Sequence, residues 1–318
     1  MRLTDNLMGA ALMTVCVLAY VVNDAVMKLL FTEMALFQAV LLRGLMTIAL
    51  LFLMVWRSKV AIRGLSRQNK HLVALRVGAE ICATIAFLTA LKHMPLANVT
   101  AILQALPLAV TMAAALFLSE PVGWRRWSAI IIGFSGVLIV IRPGFAEFNV
   151  YSLSAIVAVA FITLREITTR RLTNDVPSLT VALSTATGIT LFALVVMANT
   201  EWRAVDPLSW LLLAVAAVAI LFGTLLSVMA MRVGEISFVA PFRYTAMVWA
   251  IGLGIMMFGD WPDQLTLIGT GIIIATGASP SKPSLAGIDA VDYITYEDVF
   301  ALEELPSRMT IVGGGPIG

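Results

Sequence analysis

Apolar runs of about twenty residues recur along almost the whole chain, and no other feature constrains its fold as tightly. Inside hydrocarbon no water is available to satisfy the backbone, so a long apolar run must close its own hydrogen bonds as a helix. Hydrophobic residues make up 60% of the chain and charged residues 13%. Mean hydropathy is +0.96, where a soluble domain carries about 45–50% apolar residues. The pattern predicts an all-α membrane protein with ten transmembrane helices at about 8–31, 35–56, 72–91, 96–118, 127–142, 151–172, 178–198, 208–230, 237–258 and 264–278. The first run is longer than a signal-peptide core and holds Asn23, Asp24 and Lys28 in place of a small-residue cleavage site. It is therefore read as a retained span.

Basic residues in the connections set the orientation. With a cytoplasmic N-terminus, the inner segments carry 12 Lys/Arg and the outer ones only Lys92, Arg142 and Arg203. Both termini of the membrane part are thus expected in the cytoplasm, in a bacterial inner membrane.

The second half repeats the grammar of the first. Ala90–Val122 aligns with Ala230–Pro262 at an offset of 140, matching Lys92 to Arg232, Val99 to Val239 and Glu120 to Asp260. Asn23-Asp24 and Lys28 likewise align with Arg165-Glu166 and Arg170 at an offset of 142. Five spans is an odd number, so the second half must enter from the opposite side. The connections agree: SEPVGWRR after the fourth span has an arginine pair, whereas GDWPD after the ninth has no basic residue. The expected organisation is two inverted five-helix repeats, 1–145 and 146–277, followed by a tail, 278–318.

Ionisable groups deep in a span are costly, about 2.5–3.5 kcal/mol each on insertion scales, and so are candidates for function. They are Asp24, Arg43, Glu80, Arg165, Glu166 and Arg243. Matching their depths along the helices predicts Asp24 opposite Arg43 on the outer side and Glu166 opposite Arg243 on the inner side. Glu80 has Arg76 one turn away as a local partner, while Lys28 and Arg170 follow an acid by one turn and are expected to pair locally and snorkel. Asn98, Gln104 and Tyr244 add uncharged donors, and Gln104 aligns with Tyr244. The expected substrate-binding set is Asp24, Arg43, Asn98, Gln104, Glu166, Arg243 and Tyr244. Met112, Met247 and Trp249 read as packing. Proton coupling would need a carboxylate that changes charge, which leaves Asp24, Glu80 and Glu166. An acid beside an arginine stays ionised, which argues against a simple shuttle at Glu166. His71 and His93 fall in connections. Cys16 and Cys82 sit in apolar segments and read as packing, with no disulfide or metal site. No phosphate-binding GxxxxGK[ST] occurs, so ATP hydrolysis is not the engine. No catalytic residues, cofactor, metal or nucleic-acid partner is expected.

Three stretches resemble the drug/metabolite transporter superfamily in its ten-helix form with two EamA-type halves. They are PLANVTAILQALPLAVTMAAALFLSEPVGWRRW (95–127), GFSGVLIVIRPG (133–144) and AMRVGEISFVAPFRYTAMVWAIGLGIMMFGDWPDQLTLIGTGIIIATG (230–277). The resemblance implies a secondary carrier of small metabolites with a central cavity and alternating access. Two cargo classes compete: amino acids or related compounds, and a nucleoside-like cofactor such as S-adenosylmethionine taken up by the cell.

The end of the chain departs from this pattern. Residues 1–277 carry 19 Lys/Arg against 13 Asp/Glu, whereas the last 41 residues carry two basic residues against six acids. The tenth span stops short at Ala-Ser-Pro-Ser-Lys-Pro, which a bilayer helix does not accommodate. Residues 275–318 resemble the middle of FAD/NAD-dependent disulfide oxidoreductases, with Gly313, Gly315 and Gly318 forming GxGxxG after an apolar Met-Thr-Ile-Val. The helix, the acid and the redox cysteine pair that this motif works with do not appear. A membrane-anchored flavin or nicotinamide oxidoreductase fragment is the rival function from another class. The string IIATG suits both families and marks the expected junction of a recombined or fused reading frame.

Overall fold

A computed structural model describes residues 3–58, 66–117, 123–143, 149–172, 176, 178–233 and 239–276, all within the unit Met1–Gly277 into which the chain divides. Helices α1 (Leu3–Glu33), α2 (Leu36–Ser58) and α3 (Arg67–His93) are continuous, and α4 (Leu96–Leu103) and α5 (Leu106–Phe117) share one span. Then follow α6 (Trp124–Ile141), α7 (Tyr151–Arg170), α8 (Ser178–Met197) and α9 (Pro207–Val233). A 3₁₀ turn (Ala240–Tyr244) leads into α10 (Thr245–Leu253) and a π turn (Gly254–Phe258), and α11 is Gln264–Ala275. Among the described residues there is no strand. Eight helical stretches are long and apolar enough to cross a membrane, and Trp127–Ile141 and Gln264–Ala275 are shorter apolar helices.

Boundaries differ from the sequence expectation where a cap or a proline decides them. The third span starts at Arg67 because the Ser66 hydroxyl accepts the Asn69 N–H at 3.2 Å. The fourth breaks because Pro107 offers no N–H to Leu103 and its ring crowds that carbonyl. The chain tightens there, with Ala105 N–H bonding Ile102 O at 3.1 Å. Pro241 opens the 3₁₀ turn of the ninth span in the same way. The tenth helix is shorter still than expected. Its 12 residues rise about 18 Å, against a hydrocarbon core of about 30 Å.

Helices α1 and α9 lie along one another, as do α3 and α7. Helix α2 packs on α8, α6 on α11, and α10 crosses α4. The α6–α11 crossing brings backbone against backbone at Gly136 and Gly269: a Cβ on either would stand within 2.7 Å of the other's carbonyl oxygen. Small residues allow that approach, which supplies packing where lipid offers no hydrophobic drive.

One face of the bundle, carrying the end of α1 at Glu33, is tied together by polar contacts. Lys28 Nζ donates to Met94 O at 2.6 Å, meets Asp260 Oδ2 at 3.5 Å and lies 4.9 Å from the Phe258 ring centre. Arg142 pairs with Asp263, which also caps α11 through the Thr266 N–H at 2.8 Å. Gln38, fully buried, grips the Arg203 backbone with both ends of its amide, at 2.6 and 3.1 Å. The expected local pairing of Lys28 with Asp24 does not form. Its stem carries the ammonium to the loop after the ninth span, where a carbonyl, a carboxylate and a ring face converge.

Candidate functional site

The two broken spans meet at their breaks. Gln104, buried at the end of α4, donates from Nε2 to Tyr244 O at 3.4 Å. These are the two positions aligned by the offset of 140. Each interruption leaves irregular backbone in the middle of the bundle, where a spanning protein tolerates it only against protein or a cavity.

Two polar clusters flank this crossing. In the first, Arg43 Nη1 donates to Asn23 Oδ1 at 2.9 Å, and Asn23 Nδ2 donates to Asp24 Oδ1 at 2.9 Å. Asp24 and Arg43 thus share a site as expected, but among the described residues no ion pair joins them directly. The buried Asn23 amide stands between them, using its acceptor for the cation and its donor for the anion. In the second cluster Arg165 bridges Glu80 at 2.8 Å and Glu166 at 2.6 Å. Arg76 donates to Thr169 at 2.9 Å and also to Thr185, and the charges of Glu80 and Glu166 reach it.

This second cluster corrects two expectations. Glu80 is bonded to Arg165 rather than to Arg76, and Glu166 is bonded to Arg165 rather than to Arg243. The cause is packing. Helix α7 lies along α3, whereas α10 packs against α1 and α4. Among the described residues no ion pair joins Glu166 and Arg243. The Arg165 fork takes two carboxylates, which a lysine in that position would hold less well. The side chain of Arg170 lies outside the described residues.

Arg243 instead turns toward α1. It is exposed, and its charge bears on Cys16, Tyr20 and the adjacent Tyr244. Cys16 is buried and donates to Gly223 O at 3.2 Å, the packing role expected of it. Trp249 packs into the same cluster as Cys16 and Tyr20, and its indole N–H is buried without an acceptor. Tyr20 and Trp249 belong to this neighbourhood although apolar periodicity marked Trp249 as packing and left Tyr20 unremarked. Only the mixed chemistry of their rings hinted otherwise. Asn98 lies apart from the centre. It accepts from Thr266 at 3.5 Å and lines a cavity of about 330 Å³ with Met94, Arg142, Asn149, Ser152 and Asp263. Among the described residues no group of three or more His, Cys, Asp or Glu is placed to hold a metal ion.

Residues 7–142 match the EamA-like transporter family, and residues 263–318 match the pyridine nucleotide-disulphide oxidoreductase family. A riboflavin transporter of Vibrio cholerae serotype O1 is 28% identical over 86% of this chain and 92% of its own length. An S-adenosylmethionine uptake transporter of Rickettsia prowazekii is 25% identical over 80% of this chain and 85% of its own. A mercuric reductase of Lysinibacillus sphaericus is 46% identical over 46 residues, 14% of this chain and 8% of the reductase. One crystal structure shares the fold, with a TM-score of 0.57 over 87% of this chain and 96% of that one, at 17% identity.

Proposed function

We propose that the membrane part of this chain, which resembles EamA-like transporters over residues 7–142 and has eight helical stretches long and apolar enough to cross a membrane, works as a secondary carrier. In this reading it moves a small polar or amphipathic metabolite by alternating access between two inverted halves, 1–145 and 146–277, with both termini of the membrane part cytoplasmic.

The observation that carries this reading is the contact of Gln104 with Tyr244, where two interrupted spans meet between two polar clusters. Helix packing supports it. Exchanging the halves converts the α1–α9 pair into α7–α3 and leaves α2–α8, α6–α11 and α4–α10 paired with themselves. Interfaces that map onto one another can trade places with little change in total packing, which is what alternation requires. The path for cargo runs past Arg43 and Asp24 on one side of the crossing, Arg243, Gln104 and Tyr244 at its centre, and Glu166 on the other side. Asn98 stands at its mouth. The Glu33 face, tied by Lys28–Asp260 and Arg142–Asp263, is the closed side.

Solute counterflow in proteoliposomes tests this, with amino acids and S-adenosylmethionine as labelled cargo. Preloading with unlabelled cargo accelerates uptake of the labelled form if the protein is a carrier, and no acceleration with any cargo refutes the reading. The named cargo of the Rickettsia relative favours a second reading, uptake of a nucleoside-like cofactor. Preference for S-adenosylmethionine over amino acids separates the two. The oxidoreductase-like end is read as a fragment joined to the carrier near IIATG. Purified protein is then colourless and binds no nicotinamide cofactor, and long-read sequencing of the locus tests whether the frame is continuous.

A further inference from the structure

Charges inside the spans balance, with one exception. Asp24 answers Arg43 through Asn23. Glu80 and Glu166 together answer Arg165, to which both are bonded, and Arg76, which their charges reach. Lys28 answers Asp260 near the Glu33 face. Among the described residues, Arg43 and Arg76 bond no carboxylate directly, but each is held by hydrogen bonds with acids nearby. Among those same residues Arg243 is the span cation with neither an ion pair nor a side-chain hydrogen bond. A guanidinium at membrane depth is retained only when something compensates it.

Its surroundings limit what that something is. Arg243 lies where Tyr20, Cys16 and Tyr244 feel its charge, and where the indole N–H of Trp249 is buried with no acceptor. The polar groups of this neighbourhood are a guanidinium, two phenols, a thiol and an indole, all able to donate and none of them a carboxylate. Arg243 and Trp249 stand six positions apart on the same span, so a cargo with two separate acceptors can meet both. Resting on the transport reading above, we infer that the cargo is an organic anion. Its carboxylate or phosphate pairs with Arg243, and a carbonyl or ring-nitrogen acceptor elsewhere on the molecule takes the Trp249 N–H. A planar fork matches a carboxylate or phosphate through two parallel hydrogen bonds, which makes Arg243 the residue that selects for charge.

Counterflow with matched pairs of cargo tests the assignment: amino acids against their carboxamides, and riboflavin 5′-phosphate against riboflavin. Wild-type protein is expected to carry the member bearing the carboxylate or phosphate about tenfold faster or more, the scale of a charge-assisted contact. Arg243→Gln removes the preference, Arg243→Lys keeps part of it, and Trp249→Phe weakens both members of the riboflavin pair. Wild-type protein that carries both members of each pair equally overturns the assignment of an anionic group on the cargo while leaving carriage itself intact. This comparison needs no variant and decides the matter even if Arg243→Gln does not fold. A folded Arg243→Gln protein that keeps the preference overturns the role of Arg243. Absence of counterflow for every compound overturns the carrier reading and this inference with it.

Discussion

Replacing Gly269 with alanine puts one methyl group into a close approach of two helix backbones. The new Cβ would stand 2.6 Å from Gly136 O, 2.7 Å from Val140 Cγ2 and 3.3 Å from Val140 N. Carbon–carbon contacts are comfortable at about 3.5–4.0 Å, so the methyl is about 1 Å too close to a side chain, and it also meets a carbonyl that cannot rotate away. Relief requires α11 to shift bodily from α6. Overpacking of this kind costs about 1–3 kcal/mol, offset by up to about 1 kcal/mol of helix propensity gained over glycine. A net loss of about 1–2 kcal/mol follows. Gly271 lies two residues on in the same helix, and a Cβ there meets nothing within 4 Å. Gly271→Ala therefore keeps only the propensity gain. Thermal denaturation of both variants in detergent, followed by fluorescence-detected size exclusion, reads the difference. Gly269→Ala should melt several degrees below wild type and Gly271→Ala at or above it. Equal melting temperatures for the two variants would refute the close crossing.

Other consequences can be measured alongside. Arg165→Ala strands Glu80 and Glu166. The cost is about 2 kcal/mol, below the 3–5 kcal/mol of a fully buried pair, because Arg165 and Glu80 retain about a fifth of their side-chain exposure. Lost monodispersity checks it, and Arg165→Lys should be intermediate. Burial pushes Asp263 up, but the backbone and side-chain hydrogen bonds with Thr266 and the Arg142 guanidinium outweigh it and hold its carboxyl below the usual carboxylate range. A depressed folded-state value stabilises the protein above the unfolded-state value of about 3.9 and loses that contribution as the pH falls further. Melting temperature should therefore drop on acidification below about pH 4, and the drop should be smaller in Asp263→Asn. Finally, residues 1–277 expressed alone should match the full chain in counterflow. Loss of activity on removing 278–318 would show that the tail contributes to the carrier.

Much of this fold was legible because lipid permits so few solutions. Apolar runs located the helices, while the breaks at Pro107 and Pro241 lie inside two of those runs and came to light only in the structure. What composition and depth do not reveal is which helices become neighbours. Asp24 and Arg43 were matched correctly as occupants of one site because α1 and α2 are consecutive, yet the amide between them was invisible, since Asn23 reads as one more polar intrusion. Glu166 and Arg243 were mismatched because bundle packing put α3 beside α7. Lys28 had a plausible partner one turn away and found another 232 positions along the chain. A long, flexible cation samples more partners than sequence spacing can rank. The resemblance of residues 275–318 to a second family was legible for a different reason: the glycine motif there suits the chemistry of another fold.

The proposed alternating access makes its sharpest demand on the Glu33 face, where Lys28 and Asp260 tie α1 to the loop after the ninth span. With Cys16 and Cys82 replaced by alanine, Lys28→Cys and Asp260→Cys can be joined by a bismaleimide and counterflow measured before and after. If this face must open for cargo to cross, the uncrosslinked double variant carries substrate and the crosslinked one does not, while a single-cysteine control treated with the same reagent stays active. Undiminished counterflow through fully crosslinked protein would contradict the account.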